Sequence, residues 1–350
     1  MLDAAVLRRR RSVAWSVPTD TTAPNVSITS VSDTALALSS DEAGTAYYLI
    51  NTSSAPLAGS VIEAGGGSMS GSFAAPSGAT NFDLYTAHLA TNTYYLHLTI
   101  KDAAGNYSAD VPQVFSHTYL GIQFVGGTAN SATTGANFAS SLTGLTGGID
   151  TQPRPGDLVI VYTGIAAGSA ITCGIDTGVS TGWTSDLLPS ANDVRDCTLK
   201  NFYKIMGPTP DTSVTCISGN NSSFSSMFAA IVLRGVHQTT PKDVNSVGTN
   251  GINGAPINST AITPVTAGAC IVSGGINTGT GTPTAITAAP AGFTNLVTTM
   301  RNTPSVDANI AIAIQLGWTS GAVDPGDFIG ATLGVDDSMA AISMAIRPAA

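Results

Sequence analysis

Apolar residues recur at every second position in short runs along this chain, and turn-forming residues separate the runs. From Asn25 to Tyr119 the runs follow one another closely. "NVSITSV" sets Val26, Ile28 and Ser30 on one face, and "TALALSS" does the same with Leu36 and Leu38. "GTAYYLINTS" is an aromatic strand, followed by the loose, glycine-rich "LAGSVIEAGGGSMSGS". Alternation resumes in "TNFDLYTAHL" with Phe82, Leu84 and Thr86. In "YYLHLTI", Tyr94, Leu96, Leu98 and Ile100 share one face, with Tyr95, His97 and Thr99 on the other; "DVPQVFSHTY" closes the series. Period-two alternation marks strands, and seven of them within about 95 residues predict a β-sandwich.

Beyond Gly121 the strand-like runs are more widely spaced: 156–165, 199–206, 213–217, 226–236, 268–276, 308–318 and 339–348. Ile310, Ile312, Ile314 and Leu316 alternate with small residues, as do Ile342, Met344 and Ile346, so the second face of each strand is closely covered. Seven or eight core strands joined by long glycine- and threonine-rich loops predict a larger, jelly-roll-like two-sheet sandwich. The fold class read from the pattern is all-β. Residues 1–19 form an arm, 20–118 a small sandwich and 119–350 a larger one.

Composition supports this. Only 10% of the residues are charged, with two glutamates (Glu42 and Glu63) and four lysines, so the usual fillers of helix surfaces are scarce. The arm sets Arg8, Arg9, Arg10 and Arg11 against Asp3, while the whole chain carries −9. An acidic body without a basic stripe excludes a nucleic-acid-binding fold. The apolar run after the arginines, "SVAWSV", ends at Pro18 and is shorter than the ~7–15 residues a signal peptide needs, so the start reads as non-secreted. No segment approaches the ~20 apolar residues of a membrane helix, so no membrane insertion is expected. Cys173, Cys197, Cys216 and Cys270 show no CxxC spacing, which argues against zinc; free thiols and one or two disulfides stay equally open.

Two resemblances follow from the residues. Leu89, a short loop, a tyrosine, the alternating strand and "KDAAGN" resemble the penultimate strand of fibronectin type III and immunoglobulin-like modules. "DTTAP" and "DEAGTAYYLI" resemble modules of bacterial and bacteriophage surface proteins. The resemblance implies that a tyrosine pins the corner before this strand. Strand parity favours Tyr94, and the short spacing from Leu89 leaves Tyr95 as the alternative. In the second half, the ordered cassettes "GDLVIVY", "GWT", "FYKI", "FAAIVLRGV", "PKDV", "VTAGACIVSGG", "AGFTNL", "AIAIQLGW", "AVDPGDF" and "AAISMAIRPA" resemble a domain of phage tail or head-appendage proteins, found in phages, prophages and gene-transfer particles. That implies a structural virion protein, a fibre, spike or decoration, assembled in the host bacterial cytoplasm. Its arm would dock on capsid, collar or tail proteins, and its far domain would face the host surface; analogy with phage fibres favours a homotrimer.

Candidates for chemistry are few. His237 and Asp243 in "RGVHQTTPKDV" lack a GxSxG partner and read as a loop after a core strand. Asp324 and Asp327 in "VDPGDF" read as a turn rather than a glycosidase pair, and a calcium site using Asp324, Asp327, Asp336 or Asp337 matches no EF-hand spacing. No catalytic residue, cofactor or metal is therefore assigned, and the chain is read as non-enzymatic. Trp183, in the polar loop "STGWTSD", is the candidate for stacking on a host glycan, with folding back onto the sandwich as the competing reading. Arg8–Arg11 and Trp15 are the candidate partner-docking residues, because arginine forms forked bonds to carboxylates and tryptophan anchors interfaces. A carbohydrate-binding adhesin and, behind it, a polysaccharide depolymerase are the alternative functions.

Overall fold

The computed structural model describes residues 20–132, 136–167, 173–192, 196–218, 225–279, 284–301, 307–330 and 337–349. Arg8–Arg11 and Trp15 lie outside the described residues. Contacts divide the chain into two compact units. One holds residues 20–83 with Tyr94–Phe115; the other holds Leu84–Thr93 and the chain from Ser116 onward. Both are antiparallel β-sandwiches, so the all-β class read from the sequence is the observed one.

The smaller unit uses β1 (Val26–Val31), β2 (Ala35–Ser40), β3 (Gly44–Asn51), helix α1 (Gly59–Ala64), β4 (Met69–Ala75), β5 (Gly78–Asp83), β6 (Asn92–Lys101) and β7 (Gln113–His117). Sheet β1-β2-β5 packs opposite sheet β4-β3-β6-β7, a fibronectin type III-like division of seven strands into three and four. Leu36 and Leu38 of β2 face Tyr48 and Ile50 of β3 and Leu96, Leu98 and Ile100 of β6, all buried. Phe82 stacks on Phe73 at 4.1 Å between ring centroids. Tyr94 is buried on the leucine face, its ring 6.0 Å from that of Phe115, whereas Tyr95 is half-buried.

Two details differ from the pattern. The run through Phe82 does not continue to Thr86: β5 ends at Asp83, and Leu84 and Thr86 are buried in the larger unit, where Thr86–His88 makes a 3-10 turn. The polar face of β6 is not solvated either. The chain after "KDAAGN" folds back over it and buries His97 and Thr99. His97 Nδ1 bonds Asp110 Oδ2 at 2.7 Å, and its Nε2 donates to the Ser53 carbonyl at 3.0 Å. The same Asp110 carboxylate accepts the backbone N–H groups of Leu57 and Leu98.

The larger unit completes one sheet before it starts the other. Its first half gives β8 (Gln123–Ala132), β9 (Phe138–Ser141), β10 (Leu158–Ile165), β11 (Gly174–Ile175), β12 (Thr184–Ser185), β13 (Ser190–Ala191), β14 (Cys197–Ile205), β15 (Ser213–Ile217) and β16 (Ser226–Arg234). The second half gives β17 (Lys242–Gly251), β18 (Asn258–Ser259), β19 (Cys270–Gly279), β20 (Thr294–Arg301), β21 (Asp307–Gln315), β22 (Gly326–Asp327) and β23 (Met339–Ile346). The first main sheet runs β12-β14-β10-β16-β8, the second β17-β23-β19-β21-β20. Ile160, Tyr162, Leu199 and Ile231 of the first meet Val272, Ile276, Ile310, Ile312 and Ile342 of the second in the principal core.

Each main sheet is covered on its outer face too. Val159, Val161, Phe202 and Phe228 lie under the small sheet β11-β15-β9, with Val214 and Trp183. Ala311, Ala313, Ala341 and Ala345 lie under Ile257, Ile262, Phe293, Trp318 and Phe328. The small residues of β21 and β23 therefore do what alternation with isoleucine implies: they let an outer layer approach the sheet closely. Gly274 serves the same end on the inner face, where an added Cβ would lie 2.5 Å from the Ala311 carbonyl oxygen and 2.9 Å from the Tyr162 ring.

Candidate functional site

A depression of about 610 Å³ opens in the larger unit beside Tyr203 of β14 and the segment Thr239–Asn245 that leads into β17. The segment is held from several sides. His237 Nδ1 accepts the backbone N–H of Thr240 at 3.1 Å, and Arg347 donates to Thr240 Oγ1 at 3.1 Å. Asp243 is buried and accepts the N–H groups of Val265 and Thr266 at 2.6 and 3.0 Å. Burial alone would raise its carboxyl; the bonds from Thr266, Val265 and Arg347 outweigh it and hold the group below the usual range.

Behind the depression, Lys242 pairs with Asp186 at 2.8 Å, and its ammonium lies 6.0 Å from the centre of the Tyr203 ring. Ser246 also donates to Asp186, and Asn201 lies at 3.4 Å. Burial opposes ionisation of Asp186, but Lys242 and Ser246 overcome it and keep the carboxyl low. The charges lining the depression are thus matched within the protein. What it presents is an aromatic ring, hydroxyls and an amide, a lining suited to a neutral, hydroxyl-rich ligand.

His237 precedes β17 and Asp243 lies at its start, but they do not form a dyad, since the Asp243 carboxylate is taken up by backbone amides and Arg347. Asp324 and Asp327 are exposed, and Asp327 accepts a bond from Asn258 Nδ2 at 2.6 Å. Trp183 is not an exposed loop aromatic. It is 9% exposed and packs in the core under β11-β15-β9, with Lys204 5.9 Å from its ring centre. "STGWTSD" is polar around a single large apolar residue, and burying that residue outweighs the polarity of its neighbours. Tyr203, Lys242 and Asp186 had no motif to single them out, because Tyr203 reads as an ordinary residue of a strand and Asp186 lies 56 positions from its partner.

The four cysteines are free and buried. Burial pushes the Cys173 and Cys216 thiols up to about 12 and that of Cys197 up to about 11, which keeps them protonated and unreactive. In the smaller unit the carboxylates of Asp20, Glu42 and Asp102 gather with oxygen atoms within 4.8 Å of one another. Burial first, then repulsion from Asp20, Asp41 and Asp102, raises the Glu42 carboxyl. Asp102 is held low, chiefly by the side-chain amide of Asn106. Among the described residues no helix is long and apolar enough to cross a membrane.

No protein-family model matches this chain, and no curated protein is significantly similar to it.

Proposed function

We propose that the chain is a non-enzymatic structural protein of a tailed-phage or phage-like virion, a fibre, spike or decoration. A basic arm anchors it to capsid, collar or tail, a fibronectin-like module serves as spacer, and the larger sandwich projects outward, in a homotrimer. The observation that carries this reading is the succession of two β-sandwich units, each with its own core, behind an arginine-rich arm. Several carboxylates are taken up in bonds within the fold. Asp243 and Asp186 are spent on structural bonds, and Asp327 is tied to Asn258. The test is incorporation into particles. Full-length chain is expected in purified particles at fixed stoichiometry, and chain lacking residues 1–19 is expected to fold but be lost from them. Equal incorporation of both would remove the anchoring role.

The depression beside Tyr203 favours a second reading, in which the larger sandwich binds a neutral host-surface glycan. On a glycan array, Tyr203→Ala is expected to abolish any binding while Trp183→Ala acts only through stability. The opposite ranking would return the contact to Trp183.

A further inference from the structure

We infer that one end of the second main sheet binds a hard divalent cation, with calcium the best match, through Asn277, Asn309, Asp307 and Asp337. Strands β19 and β21 pair with Asn277 opposite Asn309 and Gly279 opposite Asp307. Even-numbered residues of both strands, such as Ile276 and Ile310, point into the principal core. Strand alternation therefore sends Asn277, Gly279, Asp307 and Asn309 to the other face together. Asp337 reaches the same place from the opposite side: a Cβ on Gly279 would lie 3.0 Å from Asp337 Oδ2. The ladder that positions it is continued by Thr278, whose N–H donates to the Ser338 carbonyl at 3.0 Å.

Two carboxylates thus flank a glycine, and two carboxamides stand in the adjoining row. All four side chains are buried: Asn277 and Asp337 are 1% exposed, Asp307 2% and Asn309 4%. Within this cluster the Oδ1 atoms of both Asn277 and Asn309 are shut away from solvent without a hydrogen-bond partner. A buried carbonyl oxygen in that state calls for a donor or a cation. Two orphaned carbonyl oxygens beside two carboxylates make an all-oxygen set of mixed charge, the kind calcium takes. The four groups offer neither the imidazole nor the thiolate that favours zinc. Glycine at 279 fits the same account, because any side chain there would occupy the space between the carboxylates.

The test uses full-length chain stripped with EDTA and titrated with CaCl2 by calorimetry and thermal melting. Glu42→Gln is included in every variant to disable the separate carboxylate cluster of the smaller unit. One calcium per chain is expected, with a rise in melting temperature. Asn309→Ala is expected to weaken binding at least about tenfold, and Asn277→Asp, which adds a charged ligand, to tighten it. If the alanine variant does not fold, the aspartate variant decides. No heat and no melting shift in the Glu42→Gln parent overturns the inference. So does binding that neither change affects, the result expected if the calcium sits elsewhere on the chain.

Discussion

His97 shows how a residue's environment can invert its apparent role. On β6 it occupies the polar side of an alternating strand, yet both ring nitrogens face acceptors: the Asp110 carboxylate and the Ser53 carbonyl. Asp110 in turn satisfies two backbone N–H groups. Removing one member of such a buried pair strands the others, at a cost of about 3–5 kcal/mol. Asp110→Ala is therefore expected to lower the unfolding free energy of the smaller unit, read from urea denaturation, by that much, while Asp324→Ala, at an exposed position, should leave stability nearly unchanged. Glu42 behaves in the opposite sense. Its carboxyl is raised by burial and by neighbouring carboxylates, so the folded chain holds that proton more tightly than the unfolded chain does. The stability linked to it is present below the ordinary carboxylate range and is lost as pH rises through the raised value. Glu42→Gln should raise the urea midpoint at neutral pH and have little effect in acid, a contrast that denaturation at the two pH values measures directly.

At the scale of elements, legibility in the sequence followed position in the sheet. The central strands β10, β16, β19, β21 and β23 are buried on both faces, and their unbroken or isoleucine-alternating runs stand out. The long strands that the pattern missed, β8, β17 and β20, are edges of the two main sheets. Each mixes glycine, serine, threonine or asparagine into its run, because each is less buried than the central strands and needs less apolar surface. The outer layers were implied only indirectly, by alanines alternating with isoleucines. The depression beside Tyr203 was not legible at all, since it joins residues from β14 and β17 whose adjacency exists only in the folded sheets. Close approach of the two main sheets yields its own prediction. Gly274→Val should destabilise the larger unit by about 1–3 kcal/mol through overpacking against the Ala311 carbonyl and Tyr162. Calorimetry would show a lowered transition. An unchanged one would mean that the sheets can part at that point without loss.

For the whole molecule, the cysteines give a convenient report. All four lie in the larger unit, buried and reduced. At about pH 8 the native chain should not react with a thiol reagent, and all four should react once denaturant is added. Rapid labelling of native protein would contradict the buried arrangement. The central claim concerns assembly: that the chain is a virion component held by its arm. A cryo-electron density map of intact particles tests it most directly. The account predicts two tandem β-sandwich densities projecting from the particle surface, with residues 1–19 packed against a neighbouring virion protein. A map that places no such density on the particle, alongside the same chain recovered only as a free monomer, would contradict it.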